Sequence, residues 1–161
     1  EGDIISIDCG VIWEGYHSDA ARTYPVGNIS LEKARLIEIT KESFFEGIKD
    51  IKAGSRLGHI SHRIQVYLES HGYGVVRELT GHGVGTHLHE DPLVPNYGKY
   101  NSGIVLQAGM TLAIEPMSTM GRRDVYLEDN DWTVTTWDGK PSAHYENTIL
   151  ITNDGVEILT L

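Results

Sequence analysis

The stretch "IDCGVIWEGYHSDAARTY" (residues 7–24) decides how the fold begins, because two apolar, β-branched runs flank a short turn signal. Glu14-Gly15 can form a two-residue hairpin loop, with the glycine supplying the unusual backbone angle. Side chains alternate along a strand, so this loop would place Asp8 and Asp19 on the same face of the hairpin. A three-residue loop or a single bulge would instead place them on opposite faces.

Two amphipathic helices are predicted after this hairpin. Ser30 can cap the first helix and Ala53-Gly54 can end it, while Gly72 can end the second. The apolar positions recur at helical spacing. They are Ala34, Ile37, Phe44, Ile48 and Ile51 in the first helix, and Leu57, Ile60, Ile64 and Leu68 in the second.

The rest of the chain alternates between short apolar runs and turn signals such as "TNDG" at residues 152–155. Two helices between two β regions predict an α+β domain with an antiparallel sheet. The predicted strands cover residues 75–79, 110–115, 125–127, 132–137, 143–151 and 156–161.

Length and composition limit the class of protein. A chain of 161 residues is long enough for a single domain with its own core. Its formal net charge of −10 argues against nucleic-acid binding, which needs clustered cations. We expect a cytoplasmic protein without a membrane segment, because the sequence contains no long apolar run. The single cysteine, Cys9, excludes an internal disulfide and is expected to be a buried structural thiol.

Acidic residues interrupt several of the apolar runs. Glu115 ends "MTLAIEP" and Glu146 lies within "SAHYENTILI". A buried acid costs free energy unless something neutralises it, although each acid taken singly could be a solvent-facing strand residue. Four carboxylates and one imidazole together suit two divalent cations lying close to each other. The predicted metal ligands are Asp8, Asp19, His82, Glu115 and Glu146.

The segment "ELTGHGVGTHLHEDP" (residues 78–92) is read as a glycine-rich loop that carries three histidines. Its glycines do not have the spacing of a dinucleotide fingerprint, and no P-loop lysine follows. Glycines on both sides of His82 would let the imidazole approach a metal. His89 is predicted to donate a hydrogen bond to a substrate carbonyl or oxyanion, and His87 to point elsewhere. No nucleophile elbow is present, so a serine or cysteine hydrolase is not indicated.

Two further histidines stand near the predicted ligands. His17 and His144 come two positions before Asp19 and Glu146, so regular strands would place each pair on one face. There the imidazoles could line the pocket or donate hydrogen bonds to the metal ligands. The three histidines of the second helix are predicted to be surface or packing residues, and they are His59, His62 and His71.

The chain resembles the type I methionine aminopeptidases of the pita-bread, creatinase-like fold. Four motifs carry the resemblance, "IDCGVIWEGYHSDAARTY", "TGHGVGTHLHEDPLVPNY", "MTLAIEPM" and "DGKPSAHYENTILIT", and the likeness extends over nearly all 161 residues. The separations between the ligands also match that family: eleven residues from Asp8 to Asp19, 33 from His82 to Glu115, and 31 from Glu115 to Glu146. The resemblance implies an α+β pita-bread fold with an antiparallel sheet and covering helices.

The resemblance also implies the chemistry of the site. A water molecule held between two metals would attack the scissile carbonyl, with Glu115 handling its proton and His89 contacting the substrate. The reaction would be hydrolysis of the first peptide bond. The implied ligand roles are chelation of one metal by Asp8, bridging by Asp19 and Glu146, and completion of the other metal by His82 and Glu115.

Cofactors and partners follow from the same resemblance. The cofactor would be two divalent ions, and cobalt, manganese, iron and zinc all accept oxygen and imidazole ligands. The partner would be the N-terminus of a peptide or nascent protein, whose methionine is removed, with the ribosome as a further candidate. Neither nucleic acid nor a membrane is an expected partner.

Members of that family carry an additional N-terminal segment, including part of the methionine pocket, which has no counterpart among these residues. We therefore expect residues 1–161 to be a single catalytic domain of the methionine aminopeptidase type without its N-terminal portion. Weak or absent activity is expected for this piece alone.

Three alternatives remain open from sequence. A proline-directed aminopeptidase of the same fold shares the ligand types, although the "AIEPM" context and the short chain favour methionine. A metal-free binding module could keep the pita-bread scaffold, but the presence of all five ligands favours an enzyme. A structural fragment without activity is the third alternative.

Overall fold

The computed structural model describes all residues from 1 to 161 and begins with a long hairpin. Its strands are β1 (Asp3–Trp13) and β2 (Tyr16–Val26). Asp8 pairs with Ala21 across the hairpin and Gly10 pairs with Asp19, which confirms the two-residue loop. Both loop residues have positive φ angles, 49° and 85°, as a tight turn of this kind requires. Asp8 and Asp19 therefore share one face.

Two helices follow the hairpin, α1 (Leu31–Ile48) and α2 (Leu57–Ser70). The Ser30 hydroxyl caps α1 by accepting a hydrogen bond from the Lys33 N–H at 3.3 Å. The predicted end of α1 was wrong, because the helix stops before Asp50, whose φ of 58° is left-handed. Neither α1 nor α2 combines the length and the apolar character that a membrane-spanning helix needs.

The buried face of α1 also differs from the predicted one. Ala34 is exposed, whereas Leu36 and Ile39 are buried. All four predicted positions of α2 are buried, as the spacing indicated. The two helices pack closely where Gly47 leaves room for Ile64, since a Cβ on that glycine would lie 2.6 Å from Ile64 Cγ1. The helices and the sheets share one apolar core.

The remaining strands form three antiparallel sheets, which confirms the predicted α+β class. Their order is β12-β11-β6-β4-β5 in the five-stranded sheet, β10-β7-β3 in the three-stranded sheet, and β8-β9 in a separate ribbon. The bounds are β3 (Gly74–Val75), β4 (Gly81–Gly83), β5 (Glu90–Val94), β6 (Thr111–Ile114), β7 (Met117–Thr119), β8 (Val125–Leu127), β9 (Val134–Thr136), β10 (Ser142–His144), β11 (Asn147–Ile151) and β12 (Val156–Ile158).

Several strand predictions need correction. The run predicted over residues 75–79 contributes only Val75 to a strand, and the run over 143–151 is divided into β10 and β11 at Tyr145-Glu146. The segment read as a glycine-rich loop contains β4, which pairs with β5 and β6. Glycine is needed on this strand because a Cβ on Gly81 would lie 2.3 Å from the Ala113 carbonyl oxygen.

The hairpin joins the larger sheet through β2. Arg22 forms an isolated antiparallel bridge with Tyr145, and the Glu146 N–H donates to the Ala21 carbonyl at 2.9 Å. One face of β2 is buried against the rest of the protein, whereas the opposite face of the hairpin is exposed. Cys9 lies on that exposed face, so the prediction of a buried thiol was wrong.

Candidate metal centre

The five predicted ligands lie on five different elements. Four of them come together, whereas Asp8 is exposed on β1 and interacts with Asp19 at the edge of this group. The strands β1, β2 and β4 carry one ligand each, another directly follows β6, and the last stands between β10 and β11. In that order the residues are Asp8, Asp19, His82, Glu115 and Glu146.

His82 is buried, and one of its ring nitrogens is held by the backbone. Its Nδ1 lies 2.9 Å from the Gly83 carbonyl oxygen, which can only accept, so Nδ1 donates this hydrogen bond. The other nitrogen, Nε2, then faces two carboxylates. Nε2 is 3.7 Å from Asp19 Oδ2 and 3.6 Å from Glu115 Oε1.

This arrangement fits a cation. The two carboxylates cannot donate hydrogen bonds to each other, and a buried pair of acids needs a positive charge nearby. Ligands of one divalent ion are separated by distances of this order, because each lies roughly 2.0–2.2 Å from the ion. The coordinating atoms of Asp19, His82 and Glu146 all lie within 4.8 Å of one another. The site therefore has the donor types and the spacing that a divalent metal needs.

The electrostatics of the site lead to the same conclusion. Burial, and then the nearby Glu115 and Asp19 carboxylates, raise the pKa of Glu146 to about 9. Burial and the Asp19 carboxylate also raise the pKa of Asp8. Acidic groups are thus concentrated around Glu146, where the Arg22 guanidinium opposes the rise in pKa. A bound cation would remove this penalty.

Hydrogen bonds to the backbone fix the ligands. The Thr148 hydroxyl accepts from the Asp19 N–H at 2.8 Å and donates to the Asp19 carbonyl at 2.9 Å. The amide of the fully buried Asn96 donates to the Glu115 carbonyl at 2.8 Å. Arg22 donates to the Glu146 carbonyl. The sequence analysis did not identify Thr148 or Asn96, because no spacing rule marks a residue that acts through the backbone.

His89 lies next to the candidate ligands and is exposed. Its ring centroid is 4.3 Å from that of His82, with the rings inclined at 65°. Both histidines line an open cleft of about 560 Å³ with acidic residues, which include Glu90 and Asp91. His87 lies apart, with 80% of its side chain exposed, as the sequence analysis predicted.

His17 and His144 occupy different positions. His17 is partly buried and lies two positions before Asp19 on the regular strand β2, so the two share one face as predicted. His144 extends towards the ligands, with Nε2 3.6 Å from Glu115 Oε2 and 4.0 Å from Glu146 Oε2. The prediction that His144 and Glu146 share a regular strand was wrong, yet the two side chains still meet.

Comparison with known proteins gives a family match. Residues 1–153 match the metallopeptidase family M24. The methionine aminopeptidase of Clostridium acetobutylicum is 58% identical over 161 residues, which is all of this chain and 64% of that protein. The chain thus spans about 64% of the length of this curated relative.

Solved structures match the whole architecture. The crystal structure of a methionine aminopeptidase from Thermotoga maritima has a TM-score of 0.97 and 51% identity, covering 99% of this chain and 64% of the other. A prolidase from Pyrococcus furiosus has a TM-score of 0.77 and 28% identity, covering 99% of this chain and 42% of the other. The fold is the pita-bread fold that the sequence resemblance implied.

Proposed function

Because this chain belongs to metallopeptidase family M24, we propose that it is a metal-dependent aminopeptidase that removes the N-terminal methionine from peptides and nascent proteins. In this proposal residues 1–161 act as a single catalytic domain. The observation that carries it is the buried Nε2 of His82, which faces oxygens of Asp19 and Glu115 at 3.7 and 3.6 Å. Such a set is unfavourable alone and suited to divalent cations.

The proposed cofactor is a pair of divalent ions. Four carboxylates and one imidazole supply enough donors for two ions, and cobalt, manganese, iron and zinc all accept these donor types. The proposed ligands are Asp8, Asp19, His82, Glu115 and Glu146. The buried Glu146, whose pKa is raised by burial and by the neighbouring acids Glu115, Asp19 and Asp8, supports cation binding among these carboxylates.

When bound, the ions would lower the pKa of a water molecule and polarise the scissile carbonyl. The protein supplies the remaining functions. Glu115 is only partly buried and borders the ligands, so its carboxylate can accept a proton and later return it to the leaving amine. His89 lines the open cleft beside His82, where its ring can donate a hydrogen bond to the substrate carbonyl oxygen.

The acidic cleft suits the positively charged free amine of a peptide N-terminus. Methionine is preferred over an Xaa-Pro substrate because the methionine aminopeptidases are much more similar to this chain than the prolidase is. We assign the activity to the cytoplasm, since nascent chains are made there, and retain the ribosome as a proposed partner.

The proposal is tested by incubating the metal-loaded protein with Met-Ala-Ser and, separately, with Ala-Pro. Release of free methionine from the first peptide, even at a low rate, with Ala-Pro intact, is the expected result. Binding of free methionine by calorimetry, with alanine as the control ligand, gives a readout that does not require turnover. Cleavage of Ala-Pro without cleavage of Met-Ala-Ser would contradict the methionine assignment.

A further inference from the structure

His144 is a buried side chain next to the candidate metal centre that the proposed function does not use. Only 15% of the side chain is exposed, and its Nε2 atom is buried without any hydrogen-bond partner. A buried ring nitrogen without a hydrogen-bond partner costs free energy, so the polar groups around it indicate which partner it can bind. The nearest polar atoms across from it are carboxylate oxygens, with Glu115 Oε2 at 3.6 Å and Glu146 Oε2 at 4.0 Å.

The Glu115 carboxylate therefore lies between two imidazoles, one for each oxygen. Its Oε1 is 3.6 Å from Nε2 of His82, and its Oε2 is 3.6 Å from Nε2 of His144. The two nitrogens differ in what they can do. His82 donates from Nδ1, so its Nε2 is available to a metal, whereas Nε2 of His144 has no hydrogen-bond partner and lies near two carboxylate oxygens, which suit an N–H group.

The backbone of His144 is held on both sides. The Thr23 hydroxyl donates to the His144 carbonyl and accepts from the His144 N–H, with both distances 2.8 Å. On the other side, His144 pairs with Met117 between β10 and β7. These contacts fix the backbone of His144, so its ring is held facing Glu115.

We infer that His144 is a positioning residue, which donates its Nε2 hydrogen to Glu115 Oε2 and thereby keeps Oε1 turned towards His82 and the metal. This inference rests on the proposed function. The separation of 3.6 Å is slightly longer than a hydrogen bond, and contacts of this kind tighten when a site is loaded. Outer-shell donors of this type typically change metal affinity or activity by roughly 10- to 100-fold.

The test compares His144→Gln with His144→Leu. Glutamine places its Nε2 donor at the same number of bonds from Cβ as the histidine Nε2, whereas leucine has similar bulk and no donor. Each protein is titrated with Co²⁺ by calorimetry, and the visible absorption of the bound Co²⁺ reports its coordination geometry. Hydrolysis of Met-Ala-Ser is measured in parallel as kcat and KM.

We expect His144→Leu to bind Co²⁺ roughly 10- to 100-fold more weakly, with an altered spectrum and a lower kcat at nearly unchanged KM. His144→Gln should retain the parent spectrum and most of the affinity. If His144→Leu does not fold by circular dichroism, His144→Phe provides a second variant without a donor.

Two results would overturn the inference. One is an apolar variant with the parent Co²⁺ affinity and spectrum, and the other is a glutamine variant as impaired as the apolar one. Failure of the parent protein to bind Co²⁺ would instead overturn the proposed function, so the two failures are distinguishable.

Discussion

The Thr148 hydroxyl binds both the N–H and the carbonyl of Asp19, at 2.8 and 2.9 Å, although the two residues are 129 positions apart. This pair of bonds joins the hairpin to β11, which begins next to Glu146. The Thr23 hydroxyl binds both backbone groups of His144 in the same manner. Buried threonines on neighbouring strands thus hold the candidate ligands in register.

Removing the Thr148 hydroxyl should disturb the site without removing a ligand. Thr148→Val keeps the shape but leaves the Asp19 N–H and carbonyl without this partner, so we expect a loss of about 1–3 kcal/mol in the free energy of unfolding. Co²⁺ should also bind more weakly. Thr148→Ser retains the hydroxyl and is the matched control. Equal Co²⁺ affinity in the valine and serine variants, measured by calorimetry, would contradict this role.

Glu115→Gln should separate metal binding from catalysis. The amide keeps one oxygen for the metal but cannot accept a proton, so hydrolysis of Met-Ala-Ser should fall by on the order of 10²–10⁴-fold. Metal content, measured by elemental analysis after dialysis, should remain largely unchanged. Turnover near the parent rate would remove Glu115 from the proton-transfer role.

His89→Ala should reduce kcat for Met-Ala-Ser on the order of 10²-fold or more, as loss of an oxyanion donor typically does. Because the residue is exposed, the melting temperature should change little. His87→Ala provides the control, since its side chain is 80% exposed and lies apart from the ligands. Similar rates for the two variants would contradict the assignment of His89.

Metal binding should stabilise the protein more strongly as pH rises. Burial and neighbouring carboxylates raise the pKa of Glu146 from 4.5 to about 9, so the metal-free folded state binds more protons than the unfolded state in this window. The metal-free folded state therefore loses this contribution to its stability as pH rises from about 4.5 towards 9. A bound cation stabilises the ionised form of the Glu146 carboxylate, so metal binding offsets this loss of stability.

The measurement is the melting temperature with Mn²⁺ and with a chelator at several values between pH 5.5 and 7.5. The increase caused by Mn²⁺ should grow across this range, and it should grow less in Glu146→Gln. An increase that is independent of pH would argue against a buried carboxylate at the metal.

Gly47→Ala tests the packing of the two helices. The added Cβ would lie 2.6 Å from Ile64 Cγ1, and overpacking of this kind costs about 1–3 kcal/mol, more than the helix propensity of alanine returns. Gly155→Ala, where no atom lies within 4 Å of the added Cβ, is the control. Urea denaturation of both variants checks the prediction, and an unchanged midpoint for Gly47→Ala would contradict it.

The sequence predicted those parts of the fold that depend on local chemistry. The Glu14-Gly15 turn sets the register of the hairpin, and the spacing of apolar residues from Leu57 to Leu68 sets the buried face of α2. Glu115 and Glu146 could be identified because each acid interrupts an apolar run, and a buried acid costs free energy unless something neutralises it.

Features that depend on tertiary contacts could not be predicted in this way. The short strand β4 has no β-propensity and exists because glycine lets neighbouring backbones approach. The exposure of Cys9 could not be predicted, because alternation indicates which face of a strand a residue occupies but not whether another element covers that face. The Thr148 and Thr23 contacts join residues more than 100 positions apart and leave no pattern in the sequence.

The most direct test of the account is the number of divalent ions bound by the folded 161-residue chain, measured by calorimetric titration of the chelator-treated protein with Co²⁺. We expect two ions per chain, with the affinity much reduced in Asp19→Asn and in His82→Ala. A folded protein that binds no divalent ion, or that binds equally well after both substitutions, would contradict it.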